Sequence, residues 1–128
     1  MCELYCIPKL QQIDVYLSFS KEYQMGFEYN DFFLPSVLDD EMETERIINK
    51  YLSLGRDCSR DTLHGAFLDL CVNSTDRRIY EVSDLRVRQS MEIAKKMGLR
   101  AVIFHTNYIV NFRLRSYLDT WLSRNEEY

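Results

Sequence analysis

The stretch at 94–108, AKKMGLRAVIFHTNY, constrains the fold more than any other part of this chain. It reads as the end of a helix, a glycine, a buried strand and a polar cluster. Gly98 after Met97 suits a helix C-terminus, where glycine takes the left-handed backbone without a Cβ penalty. The run at 100–104 is rich in Val, Ile and Phe and lacks polar alternation. That is the pattern of a strand covered on both faces, as in a parallel sheet. The run stops at His105-Thr106-Asn107. In α/β folds the carboxyl ends of parallel strands carry the chemistry.

The same phrase recurs along the chain. A strand is expected over 3–7, with Pro8 suited to the start of a helix. Leu10, Ile13, Leu17 and Tyr23 fall at helical spacing over 9–24, and Met25-Gly26 is the expected stop. Residues 14–19 also fit an alternating strand, but the glycine stop favours the helix. A second strand is expected over 27–30, with Asp31 just past it. An apolar loop follows over 32–35, which Pro35 keeps from being helical. Asp39 or Asp40 is expected to cap the next helix, with Glu41 and Glu43 in its positive first turn. Leu38, Met42, Ile48 and Leu52 form its expected buried stripe, flanked by Ile47, Tyr51 and Leu54, and Gly55 stops it.

A third strand and its exit cover 61–67. The longer connection over 68–76 is expected to lie over the mouth of a site. A helix over 78–97 should pack through Val82, Ile93, Ala94 and Met97. Strand four spans 100–105, and 108–112 is a loop. Asn111 is expected to cap a last helix carrying Leu114, Leu118, Trp121 and Leu122.

Strand and helix therefore alternate four times, each of the first three helices ending at a glycine. This implies one α/β domain over 1–128, with parallel strands joined by right-handed crossovers. His64 and His105 are one βα repeat apart and both close a strand, so both should reach the same rim of the sheet. Alternation puts Thr62 and His64 on one face, and likewise Ala101, Ile103 and His105. Four βα units are half of an eight-fold barrel. The last helix has no capping glycine and no return to the sheet. The expectation is a truncated parallel (βα)4 half of a TIM-type barrel, with an open sheet or two paired half-barrels as alternatives.

The 128 residues suffice for one core. The net charge of −4 and the absence of a basic tract argue against nucleic acid as a partner, and Arg113 and Arg115 are too few to reverse this. No apolar run is long enough to span a membrane, and no signal-peptide pattern opens the chain, so a cytoplasmic location is expected. Cys2, Cys6, Cys58 and Cys71 form no C-x-x-C pair, which argues for reduced, packed thiols rather than a structural zinc site. No G-x-S-x-G, G-x-G-x-x-G or G-x-x-x-x-G-K motif occurs.

LHGAF at 63–67, RQSMEIAKKMGLRAVIFHTNY at 88–108 and GFEYND at 26–31 resemble the sugar phosphate isomerase/epimerase family. These are the xylose-isomerase-like TIM barrels, whose relatives include apurinic endonucleases of the endonuclease IV type. The resemblance covers the whole chain but only the N-terminal half of the family's barrel. It implies a divalent metal (Mn, Mg, Co or Zn) at the C-terminal mouth, held by Glu, Asp, His and Glu residues from later strands. In isomerases and epimerases the metal polarises the carbonyl and adjacent hydroxyl of a sugar or sugar phosphate, and carboxylates move a proton through an enediolate. The physical need is a fixed cation for the oxyanion so created. In the endonuclease branch, His on the strands matching His64 and His105 are themselves ligands.

On this resemblance His64 and His105 contact metal or substrate, and Glu28 contacts substrate. The carboxylates that carry the metal lie beyond residue 128, so this chain is expected to be an incomplete and inactive piece. Two rival expectations stand beside it. One is a non-catalytic half-barrel that pairs with a second copy or another partner. The other is a metal-dependent abasic-site endonuclease, which the acidic composition disfavours. Plainer readings also exist for the residues. Either His can cap a strand end or sit satisfied in the core. Glu28 on a strand is costly unless it faces a polar mouth or forms a salt bridge. Asn30, Asp31 and Asn107 read as loop formers, and the aromatics of 27–33 and Trp121 as packing residues.

Overall fold

The computed structural model describes residues 3–109 and 111–128; Cys2, and position 110 within the 108–112 loop, lie outside the described residues. Four strands form one parallel sheet: β1 (Tyr5–Cys6), β2 (Gly26–Tyr29), β3 (Thr62–His64) and β4 (Ala101–Ile103). Their spatial order β1-β2-β3-β4 repeats their order in the chain. Between them run α1 (Ile13–Tyr23), the short α2 (Pro35–Leu38), α3 (Glu41–Leu52) and α4 (Arg77–Met97), and α5 (Arg115–Glu127) follows β4. The strand–helix alternation read from the sequence is thus an α/β fold with an all-parallel sheet. Among the described residues, no helix is long and apolar enough to cross a membrane.

A sequential strand order with crossovers of one hand puts the helices between the strands on the same side. The packing agrees. The register aligns Tyr29 with Leu63 and Leu63 with Val102. These residues and Phe27 share one core with Ile13, Tyr16 and Leu17 of α1, Ile47, Ile48 and Tyr51 of α3, and Ile93, Ala94 and Met97 of α4. The opposite face carries Glu28, Thr62, His64, Ala101 and Ile103. At β4 this face is open: Ala101 is exposed and Ile103 is 43% exposed. The expectation that β4 is covered on both faces therefore fails. The apolar run there serves a strand with one open side.

Helix ends follow local chemistry, with corrections. Asp40 caps α3 by accepting from the Glu43 N–H at 3.0 Å, and Asp76 caps α4 by accepting from the Arg78 N–H at 2.8 Å. Gly98 takes the left-handed cap of α4 as expected (φ 67°). Gly26 does not stop α1: Gln24 takes that left-handed cap (φ 53°), and Gly26 opens β2. Its requirement is steric, because a Cβ there would lie 2.6 Å from the Tyr5 ring. Pro35 sits in the first turn of α2, the one helical place its missing N–H does no harm. Asn111 caps nothing; α5 starts after Leu114, with no side-chain cap.

The buried stripes also differ from the apolar periodicity. Met42 is 84% exposed and Val82 52% exposed. On α4 the first half of the buried stripe is polar: Ser83, Arg86 and Ser90. Each is satisfied. Arg86 donates twice to Asp39, at 2.6 and 2.9 Å. Ser83 Oγ accepts from the Cys71 N–H at 2.8 Å, and Ser90 Oγ from the Ala66 N–H at 3.0 Å. These serines pin the connection that leaves β3. Cys6, Cys58 and Cys71 are free thiols.

Candidate metal and substrate site

His64 is the last residue of β3, and His105 lies two positions past β4. The register sets His64 beside Ile103, so the two imidazoles leave the sheet from adjacent strands at its carboxyl end. Their Nε2 atoms are 3.2 Å apart and their ring centroids 5.0 Å apart. Sequence spacing alone placed them on one rim; the structure brings them into contact.

The two rings are held by different means. His64 Nδ1 lies 3.1 Å from the Gly65 carbonyl oxygen, which can only accept. That contact assigns the proton of neutral His64 to Nδ1 and leaves an Nε2 lone pair facing His105. Metal-ligating histidines are commonly fixed in this way. His105 is exposed, and its Nδ1 has no partner among the described residues. Gly65 itself is forced by packing, since a Cβ there would lie 2.2 Å from Phe104 Cε1.

Aromatic rings from two loops stand against the pair. Phe67 lies nearly parallel to His105, with centroids 4.9 Å apart and planes at 22°. It meets His64 edge-on at 4.8 Å. Phe33 lies nearly parallel to Phe67 at 5.2 Å. Within LHGAF, nothing in the local pattern gives Phe67 a role of its own. The available signal was its place three residues after His64.

Glu28 shares the open face, in register with Thr62, but does not join the histidines in a ligand group. Among the described residues, no cluster of three or more His, Cys, Asp or Glu is arranged to hold a metal. Nor does Glu28 form the salt bridge considered for it. It is half-buried, with no hydrogen-bond or ion-pair partner among the described residues. Beside it, Thr62 is only 5% exposed and its hydroxyl has no partner; the buried Asn30 Oδ1 also lacks one. Buried polar atoms are nearly always paired, so such orphans at a strand end mark a place for water or ligand.

The remaining residues have plainer roles. Asp31 accepts from the Tyr51 hydroxyl at 2.6 Å, and burial pushes its carboxyl above the usual carboxylate range despite that bond. Asn107 is a loop former: it takes a left-handed backbone (φ 53°) and donates to the Leu70 carbonyl oxygen. Trp121 packs edge-on against Tyr108 and donates to the Thr106 carbonyl at 3.2 Å, fixing the chain just past His105. A cavity of about 150 Å³ lies beside His105, lined by Ala66, Leu70, Phe104 and Asn125 among others.

Two imidazoles can share one ion in this arrangement. With metal–nitrogen distances of about 2.0–2.1 Å, a tetrahedral centre separates two ligand nitrogens by about 3.3 Å. The observed separation of 3.2 Å is that of a direct N–H···N hydrogen bond between the rings and lies close to this value. Two ligands are part of a shell, and the described residues supply no third.

No family model and no curated protein sequence matches this chain. Among solved structures the chain is similar to the TTHB071 protein of Thermus thermophilus, in a structure obtained by soaking with ZnCl2. The TM-score is 0.66 at 17% sequence identity, over 97% of this chain and 47% of that one. This chain therefore spans less than half the length of that protein, and at such identity the likeness is one of fold alone.

Proposed function

We propose that the chain forms the first four βα units of a TIM-type barrel of the sugar phosphate isomerase/epimerase kind, with His64 and His105 among the ligands of a divalent metal. The observation that carries this reading is the 3.2 Å approach of the two Nε2 atoms at the carboxyl end of a parallel sheet. Sequential strand order and the packing of α1, α3 and α4 into one core support the barrel geometry, as does the similarity to a protein of about twice this length. The zinc soak of that protein makes zinc the first ion to try.

The reaction so proposed is interconversion of a sugar or sugar phosphate next to its carbonyl. A bound divalent cation would supply the charge that stabilises an oxyanion when a proton leaves the adjacent carbon. His64 presents its lone pair in a fixed direction, and the Phe67 ring keeps water from one side of the pair. Glu28, without a partner among the described residues, would accept from a substrate hydroxyl. The chain by itself is catalytically incomplete on this reading, because no described carboxylate completes the shell.

Titration with Zn2+ and Co2+, followed by calorimetry and visible absorption, tests the metal role. His64→Ala and His105→Ala should each weaken binding at least about 10-fold, and the double variant should abolish it. Unchanged affinity in the double variant overturns the assignment.

The open face favours a second reading, a half-barrel that closes against another copy of itself. Ile103 is exposed there, and β1 and β4 each keep an unpaired edge. Sedimentation of the 128-residue chain decides it: a monomer at tens of micromolar, with or without metal, removes this reading.

A further inference from the structure

We propose that Phe67 is the positioning residue for His105. The proposal rests on reading the imidazole pair as metal ligands and adds what holds the second ligand in place. His64 needs no such help, because it is held at both ring nitrogens, Nδ1 by the Gly65 carbonyl at 3.1 Å and Nε2 by His105 at 3.2 Å. His105 is exposed and has no corresponding acceptor; its Nε2 contact with His64 is its one polar contact among the described residues. A hydrogen bond at one atom leaves a ring free to turn about it. The stacked Phe67 ring, at 4.9 Å and 22°, removes that freedom by setting the plane of the imidazole.

Phe67 is itself well placed to do this. Its segment is pinned at both ends by α4: the Ala66 N–H donates to Ser90 and the Cys71 N–H to Ser83. Phe33, from the connection after β2, stacks on Phe67 at 5.2 Å. The chain of contact therefore runs from two buried serines, through a fixed loop and an aromatic ring, to the ligand that lacks its own anchor. The polar half of the α4 stripe gains a purpose on this view.

Two variants separate the roles. Phe67→Leu keeps an apolar side chain and loses the plane; Phe67→Tyr keeps the plane. In the metal-free protein, Phe67→Leu should move the His105 ring-proton resonances downfield as the ring-current shielding is lost, and Phe67→Tyr should leave them in place. In Co2+ titration, Phe67→Leu should bind about 10-fold more weakly with an altered visible spectrum, and Phe67→Tyr should restore both. Should Phe67→Leu fail to fold by circular dichroism, Phe67→Met carries the same comparison. Wild-type Co2+ affinity and unmoved His105 resonances in the Leu or Met variant overturn the proposal while leaving the metal reading intact. A wild-type chain with no His-dependent Co2+ binding overturns the metal reading. The proposal then falls with it as a statement about a ligand, and the resonances still report whether Phe67 sets the ring.

Discussion

The two ends of the sheet treat polar groups in opposite ways. At the amino end, just before β3, the Asp61 carboxylate is fully buried and every lone-pair direction is used. Oδ1 accepts from the Phe27 N–H and from Arg56, and Oδ2 from the Tyr29 hydroxyl and Arg56, all at 2.9 Å. Arg56 also donates to Ser20 Oγ at 2.6 Å and to the Met25 carbonyl at 3.1 Å, and it stands 4.1 Å over the Phe27 ring. The Asp61 hydrogen bonds push the Arg56 guanidinium above its ordinary value, and burial pushes the Tyr29 hydroxyl and the Cys58 thiol up. Toward the carboxyl end, Glu28 and Asn30 Oδ1 have no partners among the described residues, and two imidazoles face one another. A closed network holds three segments in register and leaves nothing for a ligand. Open valences cost stability and are tolerated where something else is to bind. That division matches parallel α/β folds generally, with stability at the amino end and chemistry at the other.

Asp61→Ala strands the Arg56 charge among buried neighbours and should cost about 3–5 kcal/mol in denaturant unfolding. The double variant His64→Ala with His105→Ala should change stability by no more than about 0.5 kcal/mol, since it removes no buried network. Equal losses from the two would erase the distinction drawn between the ends.

A smaller, pH-dependent effect sharpens the boundary between them. Asp31 lies at the carboxyl end of β2 yet is partnered, by Tyr51. Burial, outweighing that bond, raises its folded-state pKa above the unfolded one. Its stabilising contribution is therefore complete below the unfolded value and is lost as pH rises through the folded value. Asp31→Asn keeps an acceptor for Tyr51 and removes the ionisation. The variant should melt higher than wild type at pH 7, with the gap closing toward pH 3. A gap independent of pH would mean that Asp31 carries no burial penalty.

Much of this was legible in the residues. Asp40 caps α3 because its carboxylate reaches an N–H group three positions on; Asp76 caps α4 in the same way, though the sequence was read there only as the end of a connection. Gly98 ends α4 because its backbone angle requires it. Other features misled. Gly26 looks like a helix stop and is a steric vacancy for Tyr5, a residue 21 positions earlier. Val82 fits the apolar period of α4, yet Ser83, Arg86 and Ser90 are buried in its place. Periodicity cannot anticipate this, because burying Arg86 depends on Asp39, 47 positions away. Phe67 was invisible as a positioning group for the same reason: its stacking partner His105 comes from another strand.

Local pattern alone determined the alternation of strands and helices, the Asp40 and Gly98 caps and the delivery of His64 and His105 to one rim. These depend on neighbours a few positions apart and on a side-chain period of two. Only the assembled structure decided which face of the sheet stays open, which polar groups are paired and how closely the imidazoles approach. Those outcomes depend on contacts between distant segments, where a shift of an ångström separates a shared ligand site from two unrelated rings.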